Sequence, residues 1–311
     1  VKPFFYFASP SQFVFATEIK ALHALPEAPR DLDDEQVAIF LAWSQPDRDH
    51  TLFRGIRRLP AGHSLRISGG TRPEAACYWR LDATPALGLR RPEEYAEQLR
   101  DVFTEAVRCR LRSSGPVATA LSGGLDSSSI TCTARRLLSL SANPQLHALS
   151  LVFPGLPEED LRAIDERQFI ASVVASGGLA WHPIRADRLS PLGHAERVMW
   201  HLDEPYSAPN LYLHWGLYGA AQANGATVFL DGLDGDSAVS HGLGRLNTLL
   251  REDEWASFEQ EVRLFAEHRQ IGAESVLPHF GLPYLGDLAR SRRWGTWLRT
   301  ARSLSGRFDL S

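Results

Sequence analysis

A chain of 311 residues with 44% hydrophobic content can bury ordinary cores and has room for two domains, or for one and a fragment. Its formal net charge of -4 argues against nucleic acid as a partner, because binding a phosphate backbone needs a strong basic excess. Cys77, Cys109 and Cys132 are odd in number and widely spaced, which fits neither a disulfide framework nor a zinc site with paired ligands. They read as small packing residues in a reducing, cytoplasmic protein. No apolar run is long enough to span a bilayer and no secretory signal is visible, so no membrane partner is expected. The chain starts at Val1 inside a strand-like stretch and ends in a helical pattern, as if both ends were cut.

From Pro3 to about Leu81, short β-rich pieces dominate: "FFYFA", "QFVFAT", "HSLRIS" and "CYWRLD", separated by turn formers. The stretch Asp82 to Pro92 carries two prolines and reads as a linker between residues 1–81 and residues 93–311. Beyond it, Tyr95, Leu99, Val102, Phe103, Ala106 and Val107 share one face of a helix predicted to pack on a sheet. Strands are predicted at Val117–Ala120, Leu146–Val152, Trp181–Ile184 and Thr227–Leu230. Helices are predicted at Ser127–Leu140, Asp165–Ser176, Pro191–Leu202 and Tyr212–Asn224. This alternation predicts an α/β fold with a parallel, doubly wound sheet, whose ligands sit beyond the carboxyl ends of the strands. Further on, "GLGRLNTLLREDEWASF" and "GLPYLGDLARSRRWGTW" match in one register 39 residues apart, either as similar amphipathic helices or through shared periodicity alone. Trp255, Trp294 and Trp297, at helical spacing, are expected to pack.

The strand rule directs attention to two turns. In "LSGGLDSS", Gly123 and Gly124 remove side chains where a backbone would approach an anion, just before the unpaired amides of a helix start. Ser122, Ser127 and Ser128 can donate hydroxyls to phosphate, and Asp126 can hold Mg²⁺. A capped helix entry after a glycine turn is the plainer alternative. No Gly-Lys-Ser/Thr follows, so the string is not the lysine-bearing phosphate loop.

Ser-Gly-Gly-x-Asp-Ser-Ser resembles the pyrophosphate loop of the ATP pyrophosphatases, the adenine nucleotide alpha hydrolase-like fold. The resemblance widens to the class B, glutamine-hydrolysing asparagine synthetases. "FATEIKAL", "LFRGIRRLPAGHSL" and "YWRL" resemble the late part of their glutaminase domain, a class II amidotransferase of the N-terminal-nucleophile type. "IDERQFIASVV", "LDEPYSAPN" and "VFLDGLDGD" resemble, in order, segments of their synthetase domain. The resemblance implies ATP and Mg²⁺ as cofactors, with a carboxylate, aspartate first, activated as an acyl-adenylate. Glutamine or ammonia would be the nitrogen source. By the same resemblance, Leu121, Ser122, Gly123, Gly124, Asp126, Ser127, Ser128, Val152 and Gly232 would hold the nucleotide, with Ser150 to Phe153 flanking adenine and ribose. Asp126 and Asp236 would be metal ligands and, with Ser122, the catalytic set. A homodimer is left open.

Departures are informative. None of the three cysteines sits where the family carries its glutaminase nucleophile. Leu233 stands where the family's Ser-Gly-Glu-Gly-Ala-Asp-Glu turn has a glutamate, and leucine cannot relay a proton. The Asp-Gly-x-x-Gly-Asp form looks more like lasso-peptide cyclases, in which the amine of a precursor peptide attacks. Asp234 could replace the lost acid or be a solvated turn residue. A degenerate nucleotide-binding regulatory module is the third reading. Asp203 and Glu204 of "LDEP", near the substrate pocket in the family, and Asp165 and Glu166 are most simply helix-end residues. His241 is read as structural rather than as a base.

Overall fold

The computed structural model describes residues 3–42, 49–68, 73–81, 87–140, 144–206, 208–235 and 244–308. The chain divides into two compact units, residues 1–231 and 232–311.

The first unit opens with an antiparallel sheet in the order β2-β1-β3, from Phe5–Ala8 (β1), Phe13–Ala16 (β2) and Arg57–Arg58 (β3). Alternation along β1 turns Phe5 and Phe7 inward, onto Ile19, Leu22 and Ile56. Two helices stand where only β-rich pieces are predicted: Ile19–Leu22 (α1) and Asp34–Leu41 (α2). Asp33 caps α2 by accepting from the amides of Glu35 and Gln36, a signal readable in "DLDDEQ". A separate hairpin pairs His63–Arg66 (β4) with Glu74–Cys77 (β5). Its second strand ends before Tyr78, so "YWRL" continues outside the ladder with Tyr78, Trp79 and Leu81 exposed.

The parallel sheet follows, in the order β8-β7-β6-β9. Its strands are Val117–Ala120 (β6), Leu146–Val152 (β7), Ala180–Arg185 (β8) and Val228–Leu230 (β9), close to the predicted spans. Helices cover both faces. On one, Val117 and Leu146 meet Val107 of Pro92–Arg110 (α3) and Ala134 and Leu138 of Leu125–Leu138 (α4). On the other, Ala118 and Leu149 meet Leu217 and Ala221 of Leu211–Ala223 (α8). Burial of such a side chain contributes roughly 1.5–3 kcal/mol, so the apolar run of β7 reads as the sheet's centre.

Helix α3 departs from expectation. Its carboxyl-terminal half packs through Phe103 and Val107, whereas Tyr95, Leu99 and Val102 are exposed. Nineteen helical residues extend roughly 28 Å and a four-residue strand about 13 Å, so the first turns of α3 overhang the strand they cover. The helix predicted at Asp165–Ser176 is two, Glu158–Ile164 (α5) and Arg167–Ala175 (α6). Asp165 breaks the run: its backbone is extended and its carboxylate accepts from the Arg167 amide, an alternative to helical bonding. Ala195–Leu202 (α7) completes this unit's long helices.

The second unit is helical: Gly244–Arg251 (α9), Trp255–Arg269 (α10), Ala273–Arg290 (α11) and Trp294–Phe308 (α12). The 39-residue match is geometric as well as sequential. Asp253 and its counterpart Arg292 are both left-handed, with φ of 59° and 56°. The amides of Glu254 and Arg293 return to Leu249 and Leu288, both buried. Each copy is therefore a helix, a left-handed turn and a tryptophan starting the next helix. Trp255 and Trp297 pack on the core, while Trp294 is exposed.

Candidate functional site

The turn after β6 closes on itself. Leu121 is fully buried, and its amide donates to the Leu149 carbonyl at 2.8 Å. Gly123 has φ of +99°, and a Cβ there would lie 2.9 Å from both Cβ and the carbonyl oxygen of Glu166. Only glycine meets both demands. Gly124 is the N-cap of α4, so the helix begins at Leu125, two residues earlier than predicted, and Asp126 and Ser127 fall in its first turn. Gly124 lacks a capping side chain, so no side chain accepts from the first amides of this 14-residue helix.

The serines divide their work. Ser122 is exposed and Ser127 buried, with hydroxyls 2.9 Å apart. The Ser127 hydroxyl also accepts from the Ser122 amide and donates to the Gly124 carbonyl, so it shapes the turn. The Gly124 amide donates to the Ser122 hydroxyl at 3.3 Å. The Ser128 hydroxyl is buried, with no hydrogen-bond partner among the described residues. Of the three predicted phosphate donors, Ser122 is the one at the surface. Asp126 is half-buried, and no hydrogen bond or ion pair engages its carboxylate among the described residues.

Beside this turn lies a cavity of about 240 Å³. Leu121, Ser122, Val152 and Phe153, all among the residues singled out in the sequence, line it together with Leu149 and Leu151. Its other walls are Leu213 and Leu217 of α8, and the α5–α6 junction at Ile164 to Arg167. The lining is mostly apolar. The volume is below the roughly 300–1,000 Å³ of typical ligand pockets, which suits one flat ring with the rest of a ligand outside. Ser150, predicted to flank adenine, is instead buried structure: its hydroxyl donates to the Leu121 carbonyl at 2.6 Å and accepts from Trp181 Nε1 at 3.0 Å. This pair fixes the strand end from which the turn departs.

Arg167 was missed in the sequence, although it stands beside the acids singled out. Its guanidinium donates to both oxygens of Asp165 at 2.7 Å, and this holds the Asp165 carboxyl below its ordinary range. Leu213 and Leu217 were also missed, because nothing in the sequence says which face of α8 meets the strand ends.

Asp203 and Glu204 do not line the cavity. Asp203 follows α7 with left-handed φ of 63° and accepts from the backbone amides of Ile19 and Lys20 at 2.7 and 3.3 Å. Glu204 accepts from the Leu52 amide at 3.0 Å and from Arg58 at 2.6 Å.

In the other predicted turn, the Gly235 amide donates to the Gly232 carbonyl at 3.1 Å. Asp234 is left-handed at φ of 62°, and Leu233 is 64% exposed. Asp236 and His241 lie outside the described residues. No cluster of three potential metal-ligating side chains occurs among the described residues. The cysteines are free, but Cys77 and Cys109 are exposed rather than packed. The Cys109 thiol donates to Glu105 Oε1 at 3.0 Å, a short helical contact that raises its pKa. No described helix is long and apolar enough to cross a membrane.

A parallel sheet wrapped on both faces, with a cavity and a glycine turn at its carboxyl edge, defines an α/β protein of the class that holds ligands beyond its strand ends. Comparison with known proteins narrows the class. The sequence profile described as asparagine synthase matches residues 98–306, and that of a glutamine amidotransferase domain matches residues 1–79. The chain belongs to the asparagine synthase family. It is 28% identical to Amidase chyE of Penicillium rubens over 251 residues, 76% of this chain and 35% of that protein. To Amidase chry2 of Gibberella zeae it is 27% identical over 293 residues, 90% of this chain and 42% of the relative. To glutamine-hydrolysing asparagine synthetase 3 of Bacillus subtilis it is 32% identical over 152 residues, 49% of this chain and 24% of the relative. The chain thus spans less than half the length of these relatives.

Proposed function

We propose that this chain is the nucleotide-binding part of an ATP-dependent amide-forming ligase. A carboxylate, with aspartate the first to test, attacks the α-phosphate of ATP, and pyrophosphate leaves. An amine then displaces AMP from the acyl-adenylate. By the match at residues 1–79, that amine is ammonia drawn from glutamine. The division proposed is a glutamine amidotransferase-like segment at 1–81, a linker at 82–92 and a synthetase-like domain from 93.

The observation that carries the reading is the turn at Ser122 to Asp126. A left-handed glycine delivers the chain to an uncapped helix start, next to a mostly apolar cavity. Uncapped amides and the Ser122 hydroxyl can receive a polyphosphate while the cavity takes the base. The unengaged carboxylate of Asp126 suits a hard cation bound through one or two carboxylates plus phosphate oxygens. Asp126 and, by resemblance, Asp236 would hold Mg²⁺, which supplies charge neutralisation to the phosphates. Val152 would contact the base, and Gly232 would leave room for the nucleotide.

ATP–pyrophosphate exchange with and without aspartate tests this. Asp126→Ala is expected to lower exchange by roughly 100-fold or more with the fold intact by circular dichroism. Full retention of exchange in that variant would sink the assignment.

One observation favours a second reading. Leu233 is apolar and exposed in the turn where the family pattern carries a proton-handling glutamate. Carboxylate activation would be unchanged, with a peptide amine as the attacking group. Exchange that ignores aspartate but responds to a peptide bearing a side-chain carboxylate would select it.

A further inference from the structure

The chemistry proposed above leaves the "LDEP" carboxylates without work, yet protein donors engage both of them. Helix α7 ends at Asp203, whose left-handed backbone turns two successive carboxylates toward residues far away in sequence. The Asp203 side chain is only 7% exposed and accepts from three donors: the Ile19 amide at 2.7 Å, the Lys20 amide at 3.3 Å and Lys20 Nζ at 3.0 Å. The Lys20 ammonium also lies 4.7 Å from the centre of the Trp200 ring on α7. Burial opposes the charge on Lys20, but hydrogen bonds to Glu18 and Asp203 outweigh it and raise the pKa. Glu204 accepts from the Leu52 amide and from Arg58, whose guanidinium sits 5.3 Å from the Phe5 ring. Ile19, Lys20, Leu52 and Arg58 all lie within the glutamine amidotransferase match, and both carboxylates lie within the asparagine synthase match.

We infer that Asp203 and Glu204 form a clasp that seats the amidotransferase-like segment on the sheet, and that delivery of glutamine nitrogen depends on it while ATP chemistry does not. Two observations separate this role from substrate binding. Both oxygens of each carboxylate accept from protein donors, and neither residue lines the cavity. From Glu204 the chain runs into α8, whose Leu213 and Leu217 do line it, so the clasp and the cavity wall sit at opposite ends of one connection. Asp203 and Glu204 are thus positioning residues.

The inference rests on the proposed use of glutamine, and the test separates the two. The double variant Asp203→Asn, Glu204→Gln keeps size and tolerates the left-handed backbone, because asparagine adopts it readily. In the longest natural form of the chain, turnover is measured with glutamine and with ammonium chloride. A loss of about tenfold or more with glutamine, and less than about twofold with ammonium, is the expected result. Equal losses with both sources, or none with either, would overturn it. If the unaltered protein ignores glutamine, the nitrogen-source reading fails, and amide hydrogen exchange decides the clasp. Exchange at Ile19, Lys20 and Leu52 should then rise by about tenfold in the variant, with β6 and β7 unchanged. Unchanged protection at those three amides would overturn the clasp.

Discussion

The chain carries the dipeptide Asp-Glu at two helix ends in its α/β region, and the two pairs do different work. Asp165 bonds Arg167, two residues away, and its side chain remains 30% exposed. Glu166 contributes its backbone and Cβ, against which Gly123 packs. Asp203 and Glu204 bond Ile19, Lys20, Leu52 and Arg58, and the separations run from 146 to 184 residues. The first pair shapes a cavity wall through local bonds, and the second joins distant segments. Of these two pairs, the one with long-range donors is the more deeply buried: the Asp203 and Glu204 side chains are 7% and 19% exposed.

Steric fit at the first pair gives the largest expected effect. Gly123→Ala forces a Cβ onto Glu166 at a backbone φ that disfavours it, which should cost roughly 2–4 kcal/mol by denaturant titration and abolish ATP exchange. Gly177→Ala is the control: its φ of +71° is also left-handed but a Cβ there meets open space, so roughly 1–2 kcal/mol is expected. Equal costs for the two variants would mean that the α6 junction does not press on the turn.

Next in size is Asp203→Ala. It strands the Ile19 and Lys20 amides and leaves a β-branch-free but non-glycine residue in a left-handed turn. Loss of a part-buried carboxylate that accepts three hydrogen bonds should cost roughly 1.5–3 kcal/mol, and 0.5 M salt should not remove the effect. A change erased by salt would reclassify the clasp as a surface ion pair.

These differences explain what the sequence could convey. The parallel strands were legible because short apolar runs buried on both faces have few other readings, and β6 and β7 fall where Val117–Ala120 and Leu146–Val152 predict. The glycine turn after β6 was legible because glycines, acid and serines are adjacent in the chain. The assignments that shifted depend on hydrogen-bond partners, some remote in sequence and some within the turn itself. Ser150 left the cavity because Leu121 and Trp181 claim its hydroxyl, and Ser127 turned inward to Ser122 and Gly124. Tyr95, Leu99 and Val102 form a helical stripe, but periodicity does not say how far the sheet beneath extends. Asp203 and Glu204 looked like helix punctuation because their donors lie in another segment.

The smallest effect sharpens the comparison from the other side. Asp165 and Arg167 form an exposed, neighbouring pair, and such pairs lose in side-chain entropy and screening most of what they gain from attraction. Asp165→Asn should therefore leave the denaturation midpoint at pH 7 unresolved from that of the parent. The pH dependence carries the remaining signal. Arg167 lowers the folded pKa of Asp165, so between that value and the unfolded value of about 3.9 the unfolded chain binds more protons. Whatever stability the pair gives is present above the unfolded value and is lost as pH falls through the folded one. Asp165→Asn should flatten the acid limb of the stability curve slightly, while Asp203→Asn should lower the whole curve at neutral pH. A large neutral-pH loss from Asp165→Asn would show that the α5–α6 junction depends on this pair, and the contrast between local and long-range acids would fail.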